Sequence, residues 1–324
     1  MLGLPQIKLF GGLRGLVKVY VYRRIRERNR WLRSDGTPNF NDRIHKKPSE
    51  LQPVIMRDVP VASEESPILR ITELMYESGY RMVPILSSKN IVSGVVTGMD
   101  IIDYLGGGPR YNIILSRNLN SIYDALDVSV DNVMRNNPIT VSTDMTLPQL
   151  LEVMIKYGIG AVPVTDKEGK YVGLITERSL IRYLTGKVTG VLVKNVMTEN
   201  VIYVTVDTNL GKAMKTMVNT GVRRLPVVKD GVVAGMLSCK DITGFIGSHK
   251  VFTTLKQKTI DELLNLPVSD VMRTDVLTIS PVADIGEAAS IMNVKRVGSL
   301  LVIQGGQLKG IITARDILYG TVAG

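Results

Sequence analysis

GIITARDI, residues 310–317, runs an apolar stretch into Thr-x-x-Asp, and three relatives stand upstream: GVVTGMDI at 94–101, GLITERSL at 173–180 and GMLSCKDI at 235–242. Working outward from the octet exposes a fixed ruler. Met56, Met134, Met197 and Met272 each precede a second methionine, Met75, Met154, Met217 or Met292, by about 20 positions. Nine residues further on stand Pro84, Pro163, Pro226 and, in the fourth copy, Leu301; then come Gly94, Gly173, Gly235 and Gly310. Anchors in register across four copies define an internal repeat, and a repeat governs every later reading of the chain.

Within a copy the periodicity changes along the chain. In the second, ITV at 139–141 is a short β-type run, and LPQLLEVMIK at 147–156 sets Leu147, Leu150, Leu151 and Met154 at helical spacing. AVPV at 161–164 and VGLIT at 172–176 read as strands around the turn DKEGK, and ERSLIRYL as a second short helix. Each copy is therefore a β-α-β-β-α unit of about 50–60 residues, and the fold class is α/β. The glycine anchors lie 79, 62 and 75 residues apart, and both long intervals carry similar linkers, DALDVSVDNVM at 124–134 and DELLNLPVSDVM at 261–272. This spacing pairs copy one with two and copy three with four. A unit so small buries little core alone, so pairing is the expected remedy.

With 324 residues, 44% hydrophobic and 22% charged, the chain has the balance of an ordinary globular protein of about two domains. A single cysteine, Cys239, excludes a disulfide framework, and two histidines, His45 and His249, argue against a His-based metal or triad site. No P-loop and no nucleophile–base pair is legible, so neither an enzyme nor a catalytic cofactor is expected. No stretch approaches the roughly 20 apolar residues of a membrane span, and the opening segment, broken by Lys8, Arg14 and Lys18, lacks a signal-peptide pattern. A reducing cytoplasm is the expected compartment. Of the net charge of +10, residues 1–50 hold +8, with twelve Lys/Arg against four acids. YRRIRERNRWLR at 22–33 sets six arginines around Trp31. A solvated tail, a helix packed along the body, a nucleic-acid contact, and a membrane or protein contact all stay open for it.

The repeat resembles the CBS (cystathionine-β-synthase) motif, and two such motifs resemble one Bateman module. The likeness rests on the VM start, the G-x-x-x-x-P-V segment and the glycine-led [ST]-x-x-Asp ending, over roughly residues 50–320. It divides the chain into a basic N-terminal segment at 1–48, module one at 49–190 and module two at 191–324. The motifs fall at about 53–105 and 128–185 in the first module, and about 191–246 and 268–322 in the second. This four-motif layout is similar to the γ subunit of AMP-activated protein kinase and to stand-alone prokaryotic CBS proteins. Modules could close a disc within one chain or pair between chains as a homodimer.

Taken by itself, a Ser/Thr followed three residues on by an acid is a capping box, worth on the order of 1 kcal/mol. The same geometry can serve a ligand. A helix N-terminus favours anions, and a carboxylate can accept two hydrogen bonds from a ribose diol. The resemblance implies the acid on ribose, the hydroxyl on phosphate and adenine in the cleft between paired motifs. Matched residue by residue, it gives Thr97 with Asp100, Ser238 with Asp241, and Thr313 with Asp316. Thr176 keeps the hydroxyl, but Ser179 replaces the acid, so that cleft is expected to be empty or degraded.

Cations for phosphate stand just before the second strand: Arg81, then Arg223 with Arg224, then Lys295 with Arg296; GIGAVPV of copy two has none. Acid and base are thus missing from the same copy, which a cap alone does not explain. Thr140 and Thr278 match the family position whose backbone meets the purine, and plain β-propensity explains them as well. Lys240 and Arg315, beside the acids, are expected to face solvent, and the methionines to fill the core. The expected function is a non-enzymatic sensor of AMP, ADP or ATP, read by an unidentified protein target. A nucleic-acid reader built on residues 1–48 and an S-adenosylmethionine binder are the alternatives.

Overall fold

The computed structural model describes residues 51–323. The basic segment 1–48, with its nucleic-acid and membrane readings, lies outside the described residues. Repeat 1 runs through α1 (Ile68–Ser78), β1 (Met82–Leu86), β2 (Val92–Thr97) and α2 (Gly98–Ile102). Repeat 2 has β3 (Arg135–Asn136), β4 (Val141–Ser142), α3 (Leu147–Tyr157), β5 (Ala161–Thr165), β6 (Tyr171–Thr176) and α4 (Glu177–Ile181). Repeat 3 has β7 (Val204–Thr205), α5 (Leu210–Thr220), β8 (Arg224–Lys229), β9 (Val232–Ser238) and α6 (Cys239–Gly247). Repeat 4 has β10 (Thr278–Ile279), α7 (Ile285–Val294), β11 (Ser299–Gln304), β12 (Gln307–Thr313) and α8 (Ala314–Ala323). Each repeat carries a three-stranded sheet. In repeats 2 to 4 the short first strand lies parallel to the middle one. Repeat 1 differs: its opening segment makes a single parallel bridge, Ala62 to Ile85, and β3 of repeat 2 completes the sheet.

Local chemistry sets the helix limits. Thr146 and Gln149 form a capping box ahead of α3, and Asn209 caps α5 by accepting from the Lys212 N–H at 2.8 Å. Helices α1, α3 and α5 stop at Gly79, Gly158 and Gly221, all at left-handed φ. Repeat 4 puts Arg296 where the other three have glycine, and Arg296 also adopts a left-handed φ of 53°. That backbone is costly for a residue with a Cβ.

The glycine anchors explain the pairing of repeats. A Cβ on Gly94 would lie 2.3 Å from Met134 Sδ, and one on Gly173 2.5 Å from the Met56 carbonyl oxygen. On Gly235 it would meet the Arg273 carbonyl oxygen at 2.7 Å, and on Gly310 the Thr198 carbonyl oxygen at 2.8 Å. Each hairpin is crossed at its glycine by the opening segment of its pair-mate, and only glycine leaves room. Met56 and Leu174 exchange backbone hydrogen bonds of 2.9 Å, as do Thr198 and Ile311. Repeats 1 and 2 thus swap opening segments, and so do 3 and 4.

The two large cores run the other way. One gathers Ile71, Met75 and Ile101 of repeat 1 with Met214, Met217 and Ile246 of repeat 3. The other gathers Leu150, Met154 and Ile181 of repeat 2 with Ile285, Met292 and Ile317 of repeat 4. The linker helices Ile122–Asp127 and Ile260–Asn265 meet through an antiparallel bridge between Ser121 and Thr259. The four repeats therefore close a ring within one chain, in the order one, two, four, three. Among the described residues, no helix is long and apolar enough to cross a membrane.

Candidate functional site

All four Ser/Thr-x-x-Asp/Ser segments sit where a strand ends and a short helix begins, on the inner side of the ring. Thr97, Ser238 and Thr313 each donate a hydroxyl hydrogen bond to the acid three residues on, at 2.6, 2.5 and 2.7 Å. The backbone N–H of the same residue donates to the same oxygen at 2.8–2.9 Å. Thr97, Ser238 and Thr313 are thus bound to the acid of their own segment at the start of the helix. Thr176 caps α4 by accepting from the Ser179 N–H at 3.0 Å.

The three acids differ in how much of each stays accessible. Asp100 is fully buried, and its other oxygen takes Arg135 Nε at 2.8 Å, with Arg110 at 3.3 Å. Arg110 also binds Asp103 at 2.9 Å. Both oxygens of Asp100 are thus engaged by protein donors, more fully than those of Asp241, for which only the bonds from Ser238 are seen among the described residues. Asp316 is 8% exposed, whereas Asp241 is half-buried. Burial raises the Asp241 pKa against the bonds from Ser238. The contrast between Asp100 and Asp241 traces to the residues just after two arginines. Arg273 of repeat 4 reaches β9 as Arg135 of repeat 2 reaches β2, but Arg273 is held by Asp275, with Nε to oxygen at 3.0 Å. Arg135 is succeeded by Asn136 and Asn137 and turns to Asp100 instead.

Residues from all four repeats enclose a central cavity of about 920 Å³. Arg81, Arg178, Arg182, Arg223, Lys240 and Arg296 line it. Arg224 Nη2 and both Nη atoms of Arg81 come within 2.7 Å of the point a Cβ on Gly298 would occupy, so the two guanidinium groups share one spot. Burial, then Arg81, presses the Arg224 pKa down to about 9; burial, then Arg315, lowers that of Arg223. Lys240 is lowered by burial and then by Arg81. Guanidinium groups keep their protons in proteins, so the strain of this crowding is available to an anion. Lys295, expected among the phosphate cations, is instead exposed at the end of α7 and does not line the cavity.

The expectation that Lys240 and Arg315 face solvent is also overturned. Arg315 is 2% exposed and pairs through Nε with Glu177 of repeat 2. Its two Nη atoms have no hydrogen-bond acceptor among the described residues. Burial lowers the Arg315 pKa, yet Glu177 leaves it raised overall. Arg178, Lys240 and Arg315 occupy one repeat position, the residue just before the acid or its Ser179 replacement. A base there in three of four copies was the legible signal: Arg178 and Lys240 line the cavity, and Arg315 is buried against Glu177. Thr140 immediately precedes β4, and Thr278 opens β10 on an exposed position. Both therefore stand at the start of a first strand, as the motif alignment places them.

Similarity searches agree with this architecture. The CBS domain profile matches residues 50–107, 130–186, 193–248 and 268–321. The chain belongs to the CBS domain family. Its four CBS motifs pair into two Bateman modules through the exchanged opening segments described above. Protein MJ1225 of Methanocaldococcus jannaschii is 32% identical over 247 residues, 75% of this chain and 88% of that one. A 33.4 kDa protein from the ribosomal RNA operon of Thermofilum pendens is 30% identical over 258 residues, covering 80% of this chain and 86% of its own length. The crystal structure of MJ1225, described as a proposed archaeal homologue of g-AMPK, superposes with a TM-score of 0.77 and 29% identity, over 83% of this chain and 99% of that one. A regulatory, ligand-binding role is the one that CBS motifs in this layout support.

The Arg296 backbone yields a direct expectation. Arg296→Gly relieves a left-handed residue and one cavity cation together, and should raise the apo-protein melting temperature by a few degrees, about 1 kcal/mol. The same change should weaken anion binding. Differential scanning calorimetry beside a nucleotide titration reads both effects; a lowered melting temperature would contradict the account of the αL position.

Proposed function

We propose that this CBS protein is a non-enzymatic sensor of adenine nucleotides, AMP, ADP or ATP, whose phosphates enter the central cavity. The observation that carries the reading is the set of guanidinium groups there. Arg81, Arg223 and Arg224 come from opposite modules, crowd one enclosed space, and have no carboxylate within ion-pair distance among the described residues. Phosphate is the anion that such planar donors bind best. Asp241 supplies the adjoining carboxylate: Lys240 beside it lines the cavity, and Arg273 and Arg224 act on its charge. Similarity to a proposed g-AMPK homologue supports the same ligand class. Binding in a cleft between paired motifs, with phosphate at the seam between modules, would bias how the modules pack, and a protein target would read that state.

The test is to denature the purified protein, identify released small molecules by mass spectrometry, and titrate the stripped protein with AMP, ADP, ATP and S-adenosylmethionine. An adenine nucleotide that rebinds, and does so more weakly in Arg223→Ala, is the expected result. S-adenosylmethionine binding that ignores Arg223→Ala, with no nucleotide binding, would overturn the reading.

Proton linkage gives a further expectation. Diol binding needs ionised Asp241, so affinity is complete above its folded pKa and is lost as pH falls through it. Burial lifts that pKa, so the loss begins at a less acidic pH than for an exposed aspartate near about 3.9. Titrating AMP between about pH 8 and about pH 4.5 should show a steeper loss in the parent protein than in Asp241→Asn, where only protonation of the AMP phosphate, with its second pKa near about 6, acts.

A further inference from the structure

The short helices α2, α4, α6 and α8 open on Gly98, Glu177, Cys239 and Ala314, and all four residues line the central cavity. Their backbone N–H groups donate to the carbonyls of Arg81, Gly160, Arg223 and Gly298 at 3.2, 2.9, 3.0 and 3.2 Å, so these four are equivalent positions too. The arginines of repeats 1 and 3 reach diagonally across the ring to the glycines of repeats 4 and 2. A Cβ on Gly298 would meet Arg224 Nη2 at 2.6 Å and both Arg81 Nη atoms at 2.7 Å; one on Gly160 would meet Arg223 Nη1 at 3.0 Å. The two glycine places differ in their neighbouring helix. At Gly160 that helix opens on Glu177, whose Oε2 would lie 2.7 Å from the same Cβ. At Gly298 it opens on Ala314, which carries no charge. Glu77, the other acid on the cavity wall among the described residues, is exposed and lies 3.7 Å from Arg70.

We infer that Glu177 is the central cavity's own counter-anion: its carboxylate holds, at Gly160, the place that a ligand phosphate takes at Gly298 between Arg81 and Arg224. Carboxylate and phosphate present matching acceptor pairs to a guanidinium fork, so one can stand in for the other. Repeat 2 therefore carries its acid two residues earlier than the other copies, at Glu177 and not at position 179. Burial and then Arg315 lower the Arg223 pKa, and Glu177 opposes both; around Arg224, burial and Arg81 outweigh Glu177. Arg315 holds Glu177 from the other side through Nε, while its two Nη atoms lack hydrogen-bond acceptors among the described residues, so one carboxylate serves two cations. Charge is thus balanced at one glycine place and unbalanced at the other, where an anion has most to gain.

This role rests on the nucleotide reading for its ligand class. The probe is inorganic pyrophosphate, titrated calorimetrically into the stripped full-length protein, with AMP titrated in parallel. The parent should show one pyrophosphate event. Ala314→Glu, which copies Glu177 into repeat 4, should weaken that event at least about tenfold, while its uncharged counterpart Ala314→Gln should keep most of it. Glu177→Gln should add a second event, because Arg223 and Arg315 then lose their shared carboxylate. No pyrophosphate binding by the parent, equal binding by Ala314→Glu and Ala314→Gln, or a single event in folded Glu177→Gln would each overturn the inference. Should Glu177→Gln not fold, the two Ala314 variants decide alone. If pyrophosphate behaves as expected while no adenine nucleotide binds, only the nucleotide reading falls.

Discussion

Glu177→Gln should destabilise the protein by about 3–5 kcal/mol, the usual cost of removing one partner from a buried ion pair. Glu177 of repeat 2 is the carboxylate that meets Arg315 of repeat 4, and Arg315 is almost wholly enclosed. Its Nη atoms already lack acceptors, so removing the charge on Glu177 leaves a buried cation with little compensation. The pair bridges the two Bateman modules, so loss should loosen the ring and not merely one motif. Thermal unfolding should shift down by roughly 5–10 °C. The companion variant Glu177→Gln with Arg315→Met should recover most of the loss, because both charges then leave together. A shift below about 1 °C in the single variant would mean that the pair is solvated and contributes nothing to the ring.

Gly247→Val should be the most damaging single change on the opposite seam. Helix α6 of repeat 3 packs so closely on α1 of repeat 1 that a Cβ at Gly247 would fall 2.1 Å from the Thr72 carbonyl oxygen. Ordinary overpacking costs about 1–3 kcal/mol because side chains can yield. Here the obstacle is backbone, so a loss of about 3 kcal/mol or more is expected, with the helices forced apart. Gly98 on the same seam provides the control, since its nearest neighbour would be Cys239 Cβ at 3.4 Å, an ordinary contact. Gly98→Ala should therefore be tolerated within about 0.5 kcal/mol. Chemical denaturation of both variants decides the matter; equal stability of the two would contradict the close-packed seam.

The repeat carried most of the fold, for a physical reason. Glycine and methionine anchors recur because each hairpin is crossed by its pair-mate at one spot, so a steric requirement is written four times. The helix expected at 147–156 is α3, Leu147–Tyr157, because Thr146 and Gly158 punctuate it at both ends. Ring closure was less legible. The residues that join repeat 1 to 3 and 2 to 4 are ordinary buried aliphatics, and nothing in an apolar stripe names its partner. At the site, Asp100 and Asp241 look identical in their octets. The features that separate them lie elsewhere, in Asp275 after Arg273 and in Arg110 from the linker. Lys240 and Arg315 were misplaced because a basic residue in a first helical turn ordinarily faces solvent; here Lys240 lines a cavity shared by four copies, and Arg315 is buried against Glu177 of repeat 2.

The most direct measurement of the central claim is an AMP titration of Asp241→Asn beside the parent protein, both stripped of bound ligand. Asparagine can still accept the two capping hydrogen bonds from Ser238, so the fold and melting temperature should hold within about 0.5 kcal/mol. It cannot supply an ionised carboxylate to a ribose diol. The account expects a micromolar binding event in the parent that weakens at least about tenfold in the variant. Unchanged AMP affinity in Asp241→Asn, with the fold intact, would show that the Ser-x-x-Asp segment is only a helix cap and would contradict the proposed function.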